Sequence, residues 1–366
     1  MRKGLAVMTC LALALMITGA AWAQQDKVKA AFVLLETIDD QGWTTAHYNG
    51  IEYLQEQLGD KVEISFTENV MAPADAERVI RDYAAQGYDV IFATTFTHME
   101  PMVAVAPEFQ DTVFMHCSGY MTADNLGTYF VRMYQAEYLA GYTAGLMGYK
   151  NVGTVATHPI PEVVRGINAF TLGLERGLTE SGTEFDPDKV NTVVWLQAWR
   201  DPINETTLAE TLVAGGHDLI RQMADTADSS LAACAGGVPA IGYGTDAAFY
   251  GADCALVSTV LNWGPVYTRT VEQVLAGTWE TEQYWGGMDE QGAILSPFGA
   301  SVPPEVQEKV LAAQAEIEAG NDTIFTGPIM NQAGEEQVAD GVALTPVQLL
   351  AEMNWFVQGV SGSLPE

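Results

Sequence analysis

Short runs of apolar residues alternate along this chain with segments in which apolar residues recur every three or four positions. Runs that are apolar throughout are typical of strands buried on both faces of a parallel sheet, and the wider spacing is typical of amphipathic helices. The predicted strands of the first part are Val28–Leu35, Val62–Phe66, Asp89–Thr95 and Thr112–Cys117. Helical spacing occurs at Ile51, Leu54 and Leu58, and again at Ala76, Val79, Ile80 and Tyr83.

A second alternating set begins at Asn151. Its predicted strands are Val152–Ala156, Thr192–Gln197, Asp218–Gln222 and Ala240–Gly244, and its predicted helices are Glu162–Thr179, Glu205–Ala214 and Thr226–Cys234. One more strand, Ala255–Val260, and two helices, Pro265–Leu275 and Pro304–Ala319, follow. These late elements are too few for a third domain, so we expect them to complete the two sheets already begun. The pattern predicts two doubly wound α/β lobes with a ligand cleft at the carboxyl ends of the strands.

The first 23 residues have the pattern of a cleaved secretory signal peptide. Arg2 and Lys3 precede the apolar stretch Leu5–Ile17, and Ala21-Trp22-Ala23 has the form of a cleavage site. Cys10 lies inside the apolar stretch, which argues against a lipid anchor. We therefore predict a mature chain that begins near Gln24 and is located in the periplasm, without direct insertion into the membrane.

Charge and cysteine content narrow the possible partners. Of the 366 residues, 16 are Lys or Arg and 47 are Asp or Glu, a formal net charge of −31. So acidic a surface argues against binding nucleic acid or anionic lipid.

Three cysteines follow the predicted cleavage site, and Cys234 and Cys254 are the favoured disulfide pair, which leaves Cys117 unpaired. The histidines are scattered, so no metal site and no cofactor are predicted.

Two tryptophans follow predicted strands and are candidates for stacking on a ligand. The loop Glu36–Trp43 places Asp40 and Trp43 after the first strand, and Trp199 and Asp201 follow the strand Thr192–Gln197. Two rings from opposite lobes could sandwich a planar ligand whose N–H groups bind to carboxylates. The alternative is that Asp40 caps a helix and Trp43 packs in the core. Trp195, inside its strand, is assigned to the core.

Three further candidate residues, Thr95, Phe96 and Asp246, stand at strand ends on the predicted cleft side. Asp39 and Asp40 faintly resemble the calcium-binding loop of nucleoside hydrolases, but the further spaced aspartates of such a loop are missing. The sequence also has no nucleophile elbow, Walker loop or dinucleotide fingerprint. We therefore predict that the protein is not an enzyme.

With both lobes in view, the chain resembles the basic membrane protein (BMP) family of ABC-transporter solute-binding proteins, whose better-known members are purine-nucleoside receptors. The likeness rests on three segments: Asp40-Gln-Gly-Trp43, Glu137-Tyr-Leu-Ala-Gly-Tyr-Thr-Ala-Gly145 and Trp199-Arg-Asp201. The Tyr-Leu-Ala-Gly helix is the most distinctive of these. Small residues recur at four-residue spacing along this helix from Ala136 to Gly148, which predicts close packing against a partner.

The resemblance implies a type I periplasmic-binding-protein fold with two lobes joined by three crossovers. The lobes are expected at 24–132 plus about 250–283 and at 133–249 plus about 284–366. A purine would stack between Trp43 and Trp199, Asp40 and Asp246 would provide polar selection, and Thr95, Phe96 and Asp225 would make further contacts. The resemblance also implies an inner-membrane ABC permease as partner and a monomeric receptor.

Two departures from the family pattern affect the position of the ribose. The family's Gly-x-Asp-x-Asp segment is Gly242-Tyr-Gly-Thr-Asp246 here, and Asn262, followed by Trp263, stands where a lysine is usual. A lost charged pair and a bulky Trp263 would match ribose poorly. We therefore expect a free nucleobase, with adenine favoured. The alternatives are a purine nucleoside as ligand, or a sensory input module in place of a transport receptor.

Overall fold

The computed structural model describes residues 26–365, so the predicted signal peptide lies outside the described residues. The strands are β1 (Val28–Val33), β2 (Val62–Thr67), β3 (Val90–Ala93), β4 (Val113–Cys117), β5 (Leu126–Val131), β6 (Val152–Ala156), β7 (Asn191–Trp195), β8 (Leu219–Met223), β9 (Ala240–Gly244), β10 (Ala255–Leu261), β11 (Gln283–Gly286), β12 (Ala293–Leu295), β13 (Ile329–Met330), β14 (Glu336–Val338) and β15 (Val360–Ser361). The α-helices are α1 (Trp43–Leu58), α2 (Pro73–Ala85), α3 (Met99–Val105), α4 (Met133–Leu146), α5 (Pro161–Ser181), α6 (Pro202–Ala214), α7 (Asp228–Ala235), α8 (Gly264–Ala276) and α9 (Pro304–Glu318).

Two large sheets form the cores of two lobes. The first has the strand order β2-β1-β3-β4-β5-β11 and is parallel throughout. The second has the order β12-β10-β9-β8-β6-β7-β15, and only the β10–β12 pairing is antiparallel. Apolar runs such as Ala30–Leu34 are fully buried because helices cover both sheet faces. The predicted two-lobed α/β fold is confirmed.

The chain passes between the lobes three times. It leaves the first lobe after β5, returns after β10 into α8, and leaves again between β11 and β12. The predicted boundary near residue 250 is wrong, because β10 pairs with β9 and so belongs to the second sheet. The return to the first lobe lies at Asn262 and Trp263, after β10 has ended. An apolar run predicts a strand but not the sheet it joins.

The strand β5 is missing from the sequence prediction although all six of its residues are buried. Its second and third residues are Gly127 and Thr128, which interrupt the apolar run. A side chain at position 127 would be tightly packed, since a β-carbon there would lie 3.1 Å from the carbonyl oxygen of Glu282. Gly127 therefore fits a tight contact between strands and also interrupts the apolar run by which the strand would have been recognised.

Helices α4 and α5 pack backbone against backbone. A β-carbon on Gly141 would lie 1.9 Å from the carbonyl oxygen of Phe170, and one on Gly173 would lie equally close to the carbonyl oxygen of Tyr138. Side chains larger than hydrogen cannot occupy these positions without moving the helices apart. The small-residue repeat is therefore a packing surface, as predicted.

Helix α4 also carries one side chain of a buried ion pair. The Glu137 carboxylate accepts hydrogen bonds from Arg221 on β8, at 2.6 Å from Nη2, and from the hydroxyl of Thr259 on β10, at 2.9 Å. Both charged side chains are almost completely buried. The ion pair joins α4 to β8, and the Thr259 hydroxyl joins α4, which follows the first crossover, to β10, which precedes the second.

Two further connections hold the second lobe together. Cys234 and Cys254 form a disulfide, which confirms the predicted pairing, and Cys117 is a buried free thiol. Residues 322–365 run back over the lobe, where Asn168 donates a hydrogen bond to the carbonyl oxygen of Trp355 (2.9 Å) and β15 pairs with β7. Within residues 26–365, no helix is long and apolar enough to cross a membrane.

Candidate functional site

The loops at the carboxyl ends of the two sheets touch each other across the cleft. The Thr245 hydroxyl of the second lobe donates to the carbonyl oxygen of Gln41 in the first, at 2.6 Å. A β-carbon on Gly42 would lie 1.9 Å from the carbonyl oxygen of Asp225. At the rim, Arg200 and Glu36 form an ion pair at 3.5 Å. The structure is therefore a closed form, in which the lobes meet around the candidate site.

Trp43 stands at the floor of the cleft, as the first residue of α1. Its indole N–H donates to the carbonyl oxygen of Thr94 (2.7 Å), and its ring lies against Phe130 and Trp263. This hydrogen bond fixes the plane of a half-buried ring. The geometry suits a stacking platform, and the role of Trp43 in ligand binding stays a prediction.

The structure places Trp263 differently from the expected ribose position. Its ring is fully buried and stacked on His47, with centroids 4.6 Å apart, so it borders no open space and supports Trp43 from behind. The reason is that Trp263 directly precedes α8, which packs on α1. The neighbouring Asn262 donates its side-chain amide N–H to the carbonyl oxygen of Gln291 (2.8 Å) and is thereby held at the crossover.

Trp199 lies on the opposite lobe and remains 40% exposed. Its ring meets only that of His158 edge-on among the described aromatic side chains, with centroids 4.8 Å apart. A large exposed ring with one face free is a suitable second stacking surface. Trp195, by contrast, stacks on Phe356 and donates to the carbonyl oxygen of Ser363 (2.8 Å), away from the cleft.

Three of the predicted aspartates accept hydrogen bonds from backbone N–H groups at nearby helix starts. The Asp40 carboxylate accepts from the N–H groups of Thr44 and Thr45, both at 2.8 Å, and is almost fully buried. Asp201 accepts from the N–H of Asn204 (3.1 Å) and Asp246 from that of Ala248 (3.1 Å). The helix-cap interpretation of Asp40 describes its geometry. Ligand contacts by these three residues stay predictions.

Two other carboxylates at the cleft have no hydrogen-bond donor among the described residues. Asp225 follows β8, and Glu162 is the second residue of α5. Burial and the neighbouring carboxylates, including Asp40 and Glu162, raise the pKa of Asp225 well above its usual range. Burial raises the pKa of Glu162 to about 7, although Arg165 opposes the shift. These side chains can accept hydrogen bonds from a ligand enclosed between the lobes.

Glu162 and Tyr243 were not among the residues selected from the sequence. The sequence assigns Glu162 to a helix start, where a carboxylate is ordinarily explained by the helix dipole. The available signal was its position just after a strand that ends at the cleft. Tyr243 is the fourth of the five residues of β9. Burial and the charges of Glu162, Asp225 and Glu137 raise the pKa of its hydroxyl well above the usual range.

The remaining predicted contacts lie beside β3. The carbonyl oxygen of Thr95 lies 2.9 Å from Nε2 of His116, and Phe96 is 54% exposed next to Tyr120. They are at the rim of the first lobe, and their roles stay predictions. Within residues 26–365, no group of three or more His, Cys, Asp or Glu side chains is arranged to hold a metal ion.

Comparison with known proteins decides the family. Residues 27–321 match the model of the Bmp family, described as ABC transporter substrate-binding protein PnrA-like. The chain belongs to the Bmp family. It is thus a solute-binding protein of the ABC-transporter type, as the sequence motifs predicted, and the family is one of binding proteins rather than enzymes.

Individual Bmp relatives and solved structures agree with this assignment. The chain is 38% identical over 352 residues to a purine-binding protein of Brucella abortus, covering 96% of this chain and 97% of the relative. It is 36% identical over 348 residues to a putative ABC transporter glucose-binding protein, TsgA13, of Haloferax volcanii, covering 95% and 84%. A solute-binding protein of an ABC transporter system from Conexibacter woesei has a TM-score of 0.66 at 26% identity, over 80% of this chain and 97% of that one.

Proposed function

We propose that this Bmp protein is a periplasmic receptor that encloses a purine, with a free base such as adenine favoured, and delivers it to an ABC permease. The observation that carries the proposal is the pair of carboxylates, Asp225 and Glu162, that lack donors at the lobe interface. Closure around a ligand is the event that a permease would recognise. The 38% identity to a protein named for purine binding supports the same ligand class.

The polar groups of the site favour a ligand rich in N–H donors. Asp225 and Glu162 are half-buried and accept no hydrogen bond among the described residues, so a ligand that supplies donors gains about 1.5–3 kcal/mol for each hydrogen bond to a carboxylate. Adenine carries an exocyclic amine and a ring N–H and has flat apolar faces for Trp43 and Trp199. Base–aromatic stacking contributes about 1–3 kcal/mol per base.

Two features favour a base over its nucleoside. Gly244 replaces an aspartate of the family pattern, and its φ of +79° suits glycine. Asn262 replaces the usual lysine, and its amide is bound to Gln291. Neither position offers a charged group to ribose hydroxyls. At these two positions the hydroxyls of a nucleoside would therefore find no charged partner.

A thermal-shift screen of the refolded mature chain tests this function. Refolding removes any co-purified ligand, and a ligand at about 100 times its Kd adds about 2.7 kcal/mol of stability. We expect adenine to raise Tm more than adenosine does. A larger shift with adenosine would contradict the preference for a base. A shift with glucose alone would contradict purine binding and favour the ligand class in the name of the Haloferax relative.

The variant Trp199→Ala is expected to bind adenine about 5- to 150-fold more weakly, because it loses about 1–3 kcal/mol of stacking. The ring is exposed, so Tm of the ligand-free protein is expected to change little. Titration calorimetry gives the affinity. Leu311→Ala on α9 is the matched control, since Leu311 is also an exposed apolar side chain. Equal affinity of Trp199→Ala and wild type would contradict the stacking role.

A further inference from the structure

Arg132 stands at the first crossover between the lobes, between β5 and α4, and its side chain is half-buried. Within residues 26–365 its guanidinium donates no hydrogen bond and forms no ion pair, and its Nε is shielded from solvent without a partner. Every other arginine in this range forms an ion pair or donates to an oxygen through its side chain. In a chain with 47 acidic residues, an unpaired guanidinium is unusual and needs a physical reason.

The guanidinium of Arg132 lies over the ring of Trp285, a residue of β11 in the first sheet, with Cζ 5.1 Å from the ring centroid. The guanidinium of Arg165 on α5 lies over the same ring at 5.6 Å. One terminal N–H of Arg165 donates to the carbonyl oxygen of Leu349 (2.6 Å). A ring face attracts a cation but offers no oxygen to N–H donors. Two positive charges therefore lie beside one indole ring, and the donors of Arg132 remain unused.

Arg132 and Trp285 line a cavity of about 200 Å³. Tyr134 at the start of α4 forms another part of its wall, and the rest comes from residues 322–365. That segment follows residue 321, the last that matches the Bmp family model. None of the lining residues belongs to the candidate ligand cleft. The volume is enough for a molecule of about six non-hydrogen atoms, since one water occupies about 30 Å³.

One carboxylate, that of Asp322, also lines the cavity. Its Oδ2 accepts hydrogen bonds from the hydroxyl of Tyr134 (2.6 Å) and from Nε2 of Gln135 (2.7 Å), which tie it to the start of α4. The charge of another carboxylate, Glu162, acts on Arg165. The described part of the chain thus provides no acceptor for Arg132, and an anion in the cavity would supply one.

The remaining wall of the cavity is mainly apolar, formed by Phe325, Leu344, Pro346 and Leu349. An inorganic anion would gain nothing from this surface, whereas a carboxylate with a short alkyl group would bury it. A carboxylate also matches the planar fork of a guanidinium. We propose that the cavity binds a small carboxylate, with its oxygens on Arg132 and its alkyl group against the apolar wall. This second site goes beyond the proposed function and does not depend on purine binding.

The test follows the indole of Trp285 by fluorine NMR while sodium butyrate is added to the mature chain labelled with fluorotryptophan. The resonance of Trp285 is the one that is missing from Trp285→Phe, and sodium chloride keeps the ionic strength constant. We expect a saturable shift of this resonance with a Kd in the millimolar range or tighter. The resonances of Trp43 and Trp199 in the cleft are expected to stay in place. Butanol, which carries the alkyl group without the charge, is expected to cause no saturable shift.

The variant Arg132→Gln is expected to bind butyrate about 10- to 150-fold more weakly, because it loses charged hydrogen bonds. Arg176→Gln is the matched control and is expected to bind as wild type does. Arg176 also lies over an aromatic ring, that of Tyr142 at 4.3 Å, but it is not at the cavity. Ala343→Glu provides a second variant, since Ala343 is exposed and lines the cavity. Its added carboxylate is expected to weaken butyrate binding and to leave Tm unchanged.

Three results would overturn this site while purine binding stands. The first is the absence of a saturable shift at Trp285, which would show that solvent alone fills the cavity. The second is an equal affinity for butyrate in wild type and Arg132→Gln. The third is an equal shift of all tryptophan resonances, or a saturable shift with butanol as large as with butyrate, which would show an adventitious additive only.

Discussion

The variant Gly42→Ala is expected to fold normally and to lose most of its affinity for the ligand. In the closed form a β-carbon at this position would lie 1.9 Å from the carbonyl oxygen of Asp225, which belongs to the other lobe. The added methyl group therefore opposes closure without entering the core of either lobe. Steric overlap of this kind is unfavourable by about 1–3 kcal/mol, which predicts about a 5- to 150-fold loss of affinity.

Two measurements separate a closure defect from a folding defect. Calorimetry with adenine gives the affinity, and thermal unfolding without ligand reports whether the lobes are intact. Gly215→Ala, at the end of α6, is the control because its new β-carbon would meet only its own lobe. An affinity of Gly42→Ala equal to that of wild type would show that the Gly42–Asp225 contact is not part of the binding-competent form.

Replacing Arg221 by methionine is expected to lower the free energy of unfolding by about 3–5 kcal/mol. The reason is that Glu137 would be left as a buried carboxylate with only the Thr259 hydroxyl as donor. Burial already raises the pKa of Glu137, and Arg221 is the group that opposes this shift. Urea unfolding followed by tryptophan fluorescence measures the change.

The double variant Glu137→Met with Arg221→Met is expected to recover most of the lost stability, since apolar side chains can replace a buried ion pair at little cost. Arg78→Met is the surface control. Arg78 pairs with Asp75 and Asp82 on α2, but it is 63% exposed, so its loss is expected to change stability by less than about 1 kcal/mol. A single Arg221→Met variant as stable as wild type would contradict the interpretation of this pair.

Most of the fold could be predicted because buried parallel strands leave continuous apolar runs. Val152–Ala156 was predicted with the same bounds that the structure gives. The strand β5 was missed because Gly127 and Thr128 interrupt its apolar run. The sheet to which β10 belongs could not be predicted, since strand pairing depends on contacts between distant segments and not on the pattern within the strand.

The site was harder to predict because a short polar residue after a strand can either cap the next helix or contact a ligand. Asp201 and Asp246 have the sequence context of ligand contacts, yet their carboxylates also bond to backbone N–H groups at the next helical turn. Glu162 is the reverse case: its sequence context is that of a helix start, and its carboxylate accepts no hydrogen bond among residues 26–365. Only the three-dimensional arrangement distinguishes a capping carboxylate from an available one.

The pairing of β15 with β7 has a consequence for the order in which the strands of the second sheet can pair during folding. Residues 360–361 cover part of an edge of a sheet whose other strands come from residues 152–295. Until β15 has paired with β7, the edge of β7 presents unpaired backbone N–H and C=O groups to any extended chain nearby. For a protein predicted to emerge on the far side of a membrane, amino terminus first, this edge is protected last. Once β15 has paired, the backbone groups at Asn191 and Thr192 are no longer open to another extended chain.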